Sequence, residues 1–335
     1  KLLLGTTYFQ VYNYKKAKEI LYEVIEEGEK NSNYNIVVKT LSELGHHYVM
    51  GRDFKQGLDC FNRSIDISNK INNKGCIALS ISHIAWVSVY AGINSHDKAI
   101  EMFERGRILF EELEDYNALV GAYTDLGYCY LYLKGKVDKS LEYLKGGYKI
   151  AKENHHKNIG LILGDMGLGV YYTFIGKYEK GDNYIKKSIE NSMKTEIQGL
   201  YSLASRFLAE SLLLQGKHEE SLSFYEKSYD IAIQTDMILW NFGSLIGIAI
   251  NRKKLGLKID YDDVLQKKDK FYQEGNWYEY WYDYLQYLLF EEDRYLHLAY
   301  DRLNDISNKL NAKDRKKLLK CPWPKIIIAE WEKLY

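Results

Sequence analysis

Apolar, small and polar positions follow a helical period along nearly the whole chain. In Leu126-Gly127-Tyr128-Cys129-Tyr130 a large residue, a small one and tyrosines share one face of a helix, and Gly127 lets a second helix approach closely. Gly135 closes that helix, because a glycine just past the last periodic residue takes the left-handed conformation without a Cβ penalty. Ser140, Leu144 and Gly147, four and three apart, then form the stripe of a returning helix.

This helical hairpin repeats. The small residue of the first helix falls at Gly5, Gly45, Ala85, Gly127, Gly169, Ala209 and Gly247, in steps of 40, 40, 42, 42, 40 and 38. A second small position follows at Ala17, Gly57, Ala99, Ser140, Gly181 and Ser221, and four residues later a large one at Leu21, Phe61, Phe103, Leu144, Ile185 and Tyr225. Small residues return three further on, at Ser64, Gly106, Gly147, Ser188 and Ser228. Between the helices a stop signal recurs as Gly51, Gly92, Gly135, Gly176, Gly216 and Gly256. Self-similarity at a fixed period is the signature of a stacked array, in which each unit buries its apolar face against its neighbours.

The pattern resembles the tetratricopeptide repeat: Leu44-Gly45 with Tyr48, Gly57 and Phe61; Leu126-Gly127 with Tyr130; Leu168-Gly169 with Tyr172, Gly181 and Ser188. It departs from the family in a period near 40 rather than about 34 residues and in lacking the proline that usually closes each repeat. These departures resemble the long-repeat branch of bacterial sensor proteins, with both helices lengthened. The resemblance implies an all-α, right-handed α-solenoid of about seven to eight hairpins. The superhelix is assigned to residues 1–256, a degenerate aromatic-rich continuation to 257–312, and a Pro-Trp-Pro turn with a capping helix to 313–335.

Charge and cysteine content narrow the partners. Lys+Arg 46 balances Asp+Glu 46, so no global field draws the chain to nucleic acid or to an anionic membrane. No apolar run approaches the roughly 20 residues that span a bilayer, and no signal peptide is visible. Cys60, Cys76, Cys129 and Cys321 form no CxxC pair, which fits a reducing cytoplasm. Asn62-Arg63-Ser64 matches a glycosylation sequon but falls within a predicted helix and is discounted.

Both ends differ from the middle. Lys1-Leu2-Leu3-Leu4 opens inside a first helix without a polar cap, an arrangement that implies preceding residues, either a start outside the array or an upstream domain covering the leucines. Residues 271–290 hold Phe271, Tyr272, Trp277, Tyr278, Tyr280, Trp281, Tyr282, Tyr284, Tyr287 and Phe290, aromatics on several helical faces, consistent with burial all round or with a recognition surface. Pro322 and Pro324 then break one helix and start another, whose Trp323, Ile327 and Trp331 are spaced to cover the last repeat. Arg315, Leu318-Leu319, Pro322 and Trp331 resemble the close of the repeat-bearing sensor halves of bacterial signalling ATPases and their transcription-factor or cyclase relatives. That resemblance implies a sensing module whose effector domain lies outside this chain.

The sequence offers little catalytic chemistry. His46-His47 and His155-His156 diverge by about 100 degrees on a helix and cannot share a metal, and no HExxH occurs. Gly164, Gly167 and Gly169 lack the spacing, strand and lysine of a phosphate loop and read as packing glycines. No Gly-x-Ser-x-Gly elbow or nucleophilic cysteine context is present. The chain therefore reads as non-catalytic, with no cofactor and no metal.

Recognition is the expectation, and the repeat register places it. In the tetratricopeptide architecture the first helix of each hairpin lines the concave surface, so positions one, four and five after the small residue, and three before it, face the groove. Ligand-contacting candidates are His46, Trp86, Tyr90, Tyr128, Tyr132, Phe174, Arg206, Glu210, Asn251 and Arg252. Positions three before are Ser42, Ser82, Thr124, Met166, Arg206 and Ser244. The aromatic centre would anchor apolar side chains of a protein or peptide, while Arg206, Asn251 and Arg252 would meet backbone or acidic groups. A small-molecule or peptide-pheromone receptor of a transcription regulator is the alternative.

Overall fold

In the structure, a computed structural model, the described residues are 14–92, 94–154, 159–234, 238–273 and 280–334; the opening leucines, His155-His156, Trp277 and Tyr278 lie outside them. The described chain is helical from end to end. Helices α1 (Tyr14–Lys30), α2 (Tyr34–Met50), α3 (Phe54–Lys70), α4 (Lys74–Ala91) and α5 (His96–Glu112) lead to α6 (Tyr116–Tyr128). There follow α7 (Val137–Glu153), α8 (Ile159–Phe174), α9 (Tyr178–Lys194), α10 (Gln198–Leu214), α11 (His218–Gln234) and α12 (Ile238–Lys254). The chain closes with α13 (Tyr261–Gln273), α14 (Tyr280–Phe290), α15 (Asp293–Ser307), α16 (Ala312–Leu318) and α17 (Pro322–Leu334).

Side-chain caps set several helix starts: Asp53, Asn73, Ser95, Asp115 and Asn311 accept from the backbone N–H three residues on. Two kinds of stop alternate. Within hairpins Gly92, Gly135, Gly176, Gly216 and Gly256 take positive φ between 61° and 77°. Gly51 does not: its φ is −80°, and the left-handed position passes to Arg52 at 66°. The chain there closes one residue later, with the Arg52 and Asp53 amides donating to Val49 and Tyr48. Between hairpins the left-handed residue is polar and not glycine, namely Ser32, Asn72, Glu114 and Glu196.

Packing follows the small–large register. A Cβ built on Gly45 would stand 2.6 Å from the Phe61 ring, and one on Gly127 2.5 Å from Leu144 Cδ2; Gly169 meets Ile185 and Gly247 meets Tyr225 as closely. Where the returning small residue is serine, its hydroxyl knits neighbouring helices: Ser42 bridges Ser64 and Ser80 at 3.2 Å each, and Ser228 bridges Ser202 at 3.2 Å and Ser244 at 3.0 Å. These buried hydroxyls thus satisfy one another across repeats without admitting a bulky side chain.

Through α13 consecutive helices pack pairwise in chain order; α14 then packs on α12 and α15, and α17 on α14 and α15, and the array also curls on itself, since α12 comes round to touch α2. The concave face is thereby wrapped into a groove. The terminal aromatic hairpin is buried: Tyr280, Trp281, Tyr282 and Tyr284 are at most 4 % exposed. Helix α17 lies on it, with Trp323 stacked on Trp281 (centroids 6.4 Å, planes 8° apart) and Trp331 stacked on Tyr300 (4.0 Å, 2°).

Candidate functional site

The concave face holds a cavity of about 770 Å³ lined by the first helices of the hairpins, chiefly α2, α4, α6, α8 and α10. That size is within the range of pockets that bury drug-sized or short peptide ligands. His46, Trp86, Tyr90, Tyr128 and Arg206 line it, as do Ser42, Ser82, Thr124 and Met166 from the stripe three residues before each small position. Trp86 stacks on Tyr90 (5.2 Å, 18°), and Tyr128 on Tyr132 (5.9 Å, 23°), so the wall is built of paired rings four residues apart on one helix face.

Tyr132, Phe174 and Glu210 lie further along, around a second cavity of about 20 Å³ that Trp281 and Trp323 also line. The terminal hairpin and its cap fill that end of the groove. A local change in α6 contributes: its last turn, Cys129–Leu133, widens to a π-helix, with the Lys134 amide donating to Cys129. The extra residue per turn aims Tyr132 at Phe174 (5.7 Å) and at Trp281 (4.9 Å).

The polar residues expected in the groove are placed differently. Asn251 is fully buried in α12, donating to Ser221 and to the Gly247 carbonyl and facing His218, because the Ser221 position leaves room for it between helices. Arg252 pairs with Glu226 at 2.9 Å outside both cavities. Arg206 does reach the main cavity, but its guanidinium is engaged: it donates to Glu210 at 2.9 Å and to the Tyr282 hydroxyl at 3.0 Å, and that hydroxyl in turn donates to Glu210. The guanidinium also covers the Phe207 ring. Burial raises the Glu210 carboxyl while Arg206 and Tyr282 oppose the rise. This triad ties α10 to the terminal hairpin, so Arg206 is no freestanding cation for an acidic ligand.

A stripe of lining residues two positions before each small one escaped the sequence reading: Glu43, His83 and Asp125. The helical period does carry them, since two residues back and five residues forward differ by only about 20 degrees around the axis. Their burial changes their chemistry. His46 and His83 face each other at 5.1 Å, His83 stacks on Phe61 at 4.9 Å, and desolvation holds the two imidazoles down to about 4 and about 3. Burial lifts the Asp125 carboxyl to about 7, with the nearby Trp86 indole opposing the rise. Glu43 is raised by the same cause. Among the described residues no three His, Cys, Asp or Glu side chains converge as a metal site, and no helix is long and apolar enough to cross a membrane.

No protein-family model matches the sequence, and no curated protein matches it. Solved structures do share its fold. The chain superposes on NprR in complex with its cognate peptide NprX with a TM-score of 0.58 at 15% identity, covering 99% of this chain and 86% of that one. With a Rap protein complexed with competence and sporulation factor the TM-score is 0.57 at 12% identity, over 99% and 95%. A signal-transduction ATPase with a tetratricopeptide repeat sensor from Pyrococcus horikoshii is more distant, with a TM-score of 0.47 at 17% identity; the match spans 82% of this chain and 41% of that one. Repeat register, glycine stops and superposition agree: the chain is an all-α solenoid of the tetratricopeptide type.

Proposed function

We propose that this chain is a peptide-binding sensor module that holds its ligand in the concave groove and belongs to a larger signalling or regulatory protein. The observation that carries the reading is the cavity of about 770 Å³ walled by Trp86, Tyr90 and Tyr128 from successive first helices. Stacked, rigid aromatics supply contact area at little entropic cost, and such side chains dominate binding energy where they can be covered. The NprR structure of the same fold contains a peptide, which supports an oligopeptide as the ligand class. The walls offer surfaces for apolar anchoring rather than a constellation of nucleophile, base and oxyanion donors, so binding is the role they suit.

A fluorescent pool of random heptapeptides titrated by anisotropy tests this. Trp86→Ala/Tyr128→Ala should weaken binding by about 2 kcal/mol or more, in the manner of interface hot spots. Full affinity in that double variant would move the site out of the groove, and binding of small metabolites in place of every peptide would favour the receptor of a non-peptide signal.

A further inference from the structure

The groove's chemistry narrows the ligand. Once Arg206 is assigned to its triad, the wall has no uncommitted cation among its described residues. Its charged groups are otherwise carboxyls: Glu43, Asp115, Asp125 and Glu196. Asp115 is occupied in capping α6. Asp125 differs from the rest, because it lines the cavity close to Trp86, which stacks on Tyr90. On the neighbouring α4, the buried Nδ1 of His83 has no hydrogen-bond partner among the described residues. A carboxyl next to an aromatic face is the pairing that recognises a planar cation, since the ring attracts the charge from one side while the carboxylate accepts its N–H groups from the other.

We propose, building on the peptide-groove reading, that the ligand is a peptide carrying an arginine whose guanidinium enters at Asp125 and lies against Trp86 and Tyr90. Burial raises the Asp125 carboxyl and a bound cation favours its ionised form, so binding should release protons near and below neutral pH. His83, which lines the same cavity on α4, is held neutral by burial. Cys129, one turn on, is kept as a thiol chiefly by burial, with Asp125 adding to the rise and Lys134, itself paired with Asp97, opposing it. Neither supplies a positive charge that would already satisfy the carboxylate. Glu43 on α2 is about half exposed, so water screens the negative potential it adds.

The test uses synthetic heptapeptide pools that are random except at one fixed central position, occupied by arginine, by citrulline or by glutamate. Citrulline keeps the length and planarity of arginine, but a carbonyl oxygen replaces one of its NH2 groups, so both the charge and two N–H donors are removed. The arginine pool should bind the intact protein at least about tenfold more tightly than the citrulline pool, the scale of one desolvated charge-assisted contact. Asp125→Asn should erase that ratio; Glu43→Gln, at an exposed position, should reduce it less. Calorimetry at pH 6.5 in buffers of different ionisation enthalpy should detect proton release with the arginine pool and none with the citrulline pool. Equal affinity of the arginine and citrulline pools would overturn the arginine assignment while leaving the peptide groove intact. Failure of every pool to bind would overturn the groove itself.

Discussion

Leu144 is wedged between two glycines, and that geometry sets how the array answers a single added methyl. A Cβ on Gly127 would lie 2.5 Å from Leu144 Cδ2 and 2.6 Å from Cγ, whereas carbon atoms attract best at about 3.5–4.0 Å. Leu144 cannot swing away, because Gly167 of the next hairpin already presses its Cδ2 from the other side, where a Cβ would stand 2.8 Å off. Gly127→Ala should gain about 1 kcal/mol of helix propensity and lose about 1–3 kcal/mol to overpacking, a net loss of up to about 2 kcal/mol. Gly127→Leu should exceed that. Leu144→Ala alone should cost about 2–5 kcal/mol through the cavity it leaves. In the double variant the new methyl fills part of that cavity and meets no obstacle, so the two changes should couple favourably by about 1–3 kcal/mol. Urea titration followed by helical circular dichroism of the four proteins closes the cycle. Additivity within about 0.5 kcal/mol would refute the wedge and, with it, the small–large register as the source of hairpin packing.

Gly169→Ala should destabilise more than Gly127→Ala, because the added Cβ meets the Ile185 amide nitrogen at 3.0 Å and the Gly181 carbonyl at 3.1 Å, backbone atoms that no rotamer change can move; melting temperatures rank the pair. Deleting residues 321–335 should uncover Trp281 and promote self-association visible by light scattering, since Trp323 now covers that ring; a truncated protein that remains monomeric at high concentration would refute the capping role. Below pH 6.5 the array should lose stability, because His46 and His83 have folded values near 4 and near 3, so the unfolded chain takes up protons first. Asp125, lifted to about 7, acts in the opposite sense and gains stability on acidification, so Asp125→Asn should raise the melting temperature at pH 7.5 and steepen its fall toward pH 5.

The periodic glycines, serines and aromatics of the sequence by themselves determined the hairpins, their stops and the face that turns inward. These features are local: a small residue opposite a large one, or a glycine after the last apolar turn, acts through neighbours within one or two helices, and the period exposes it. His46, Trp86, Tyr90 and Tyr128 were legible as groove residues for that reason. Residues 43, 83 and 125 lie on the same period and were readable, but a histidine and an aspartate at helix surfaces look like solvated positions until the packing that desolvates His83 and Asp125 is known. Curvature is what the tertiary structure alone decided. It brings α12 round to α2 and carries Tyr282 to Arg206 across 76 residues of chain, converting a cation that the sequence offers to a ligand into half of an internal ion pair. Asn251 and Arg252 were misplaced for a local reason, since the neighbouring α11 draws Asn251 to Ser221 and Arg252 to Glu226. Small rotations at each repeat sum over the array into a long-range shape, so contacts between distant repeats depend on every intervening angle and no local pattern encodes them.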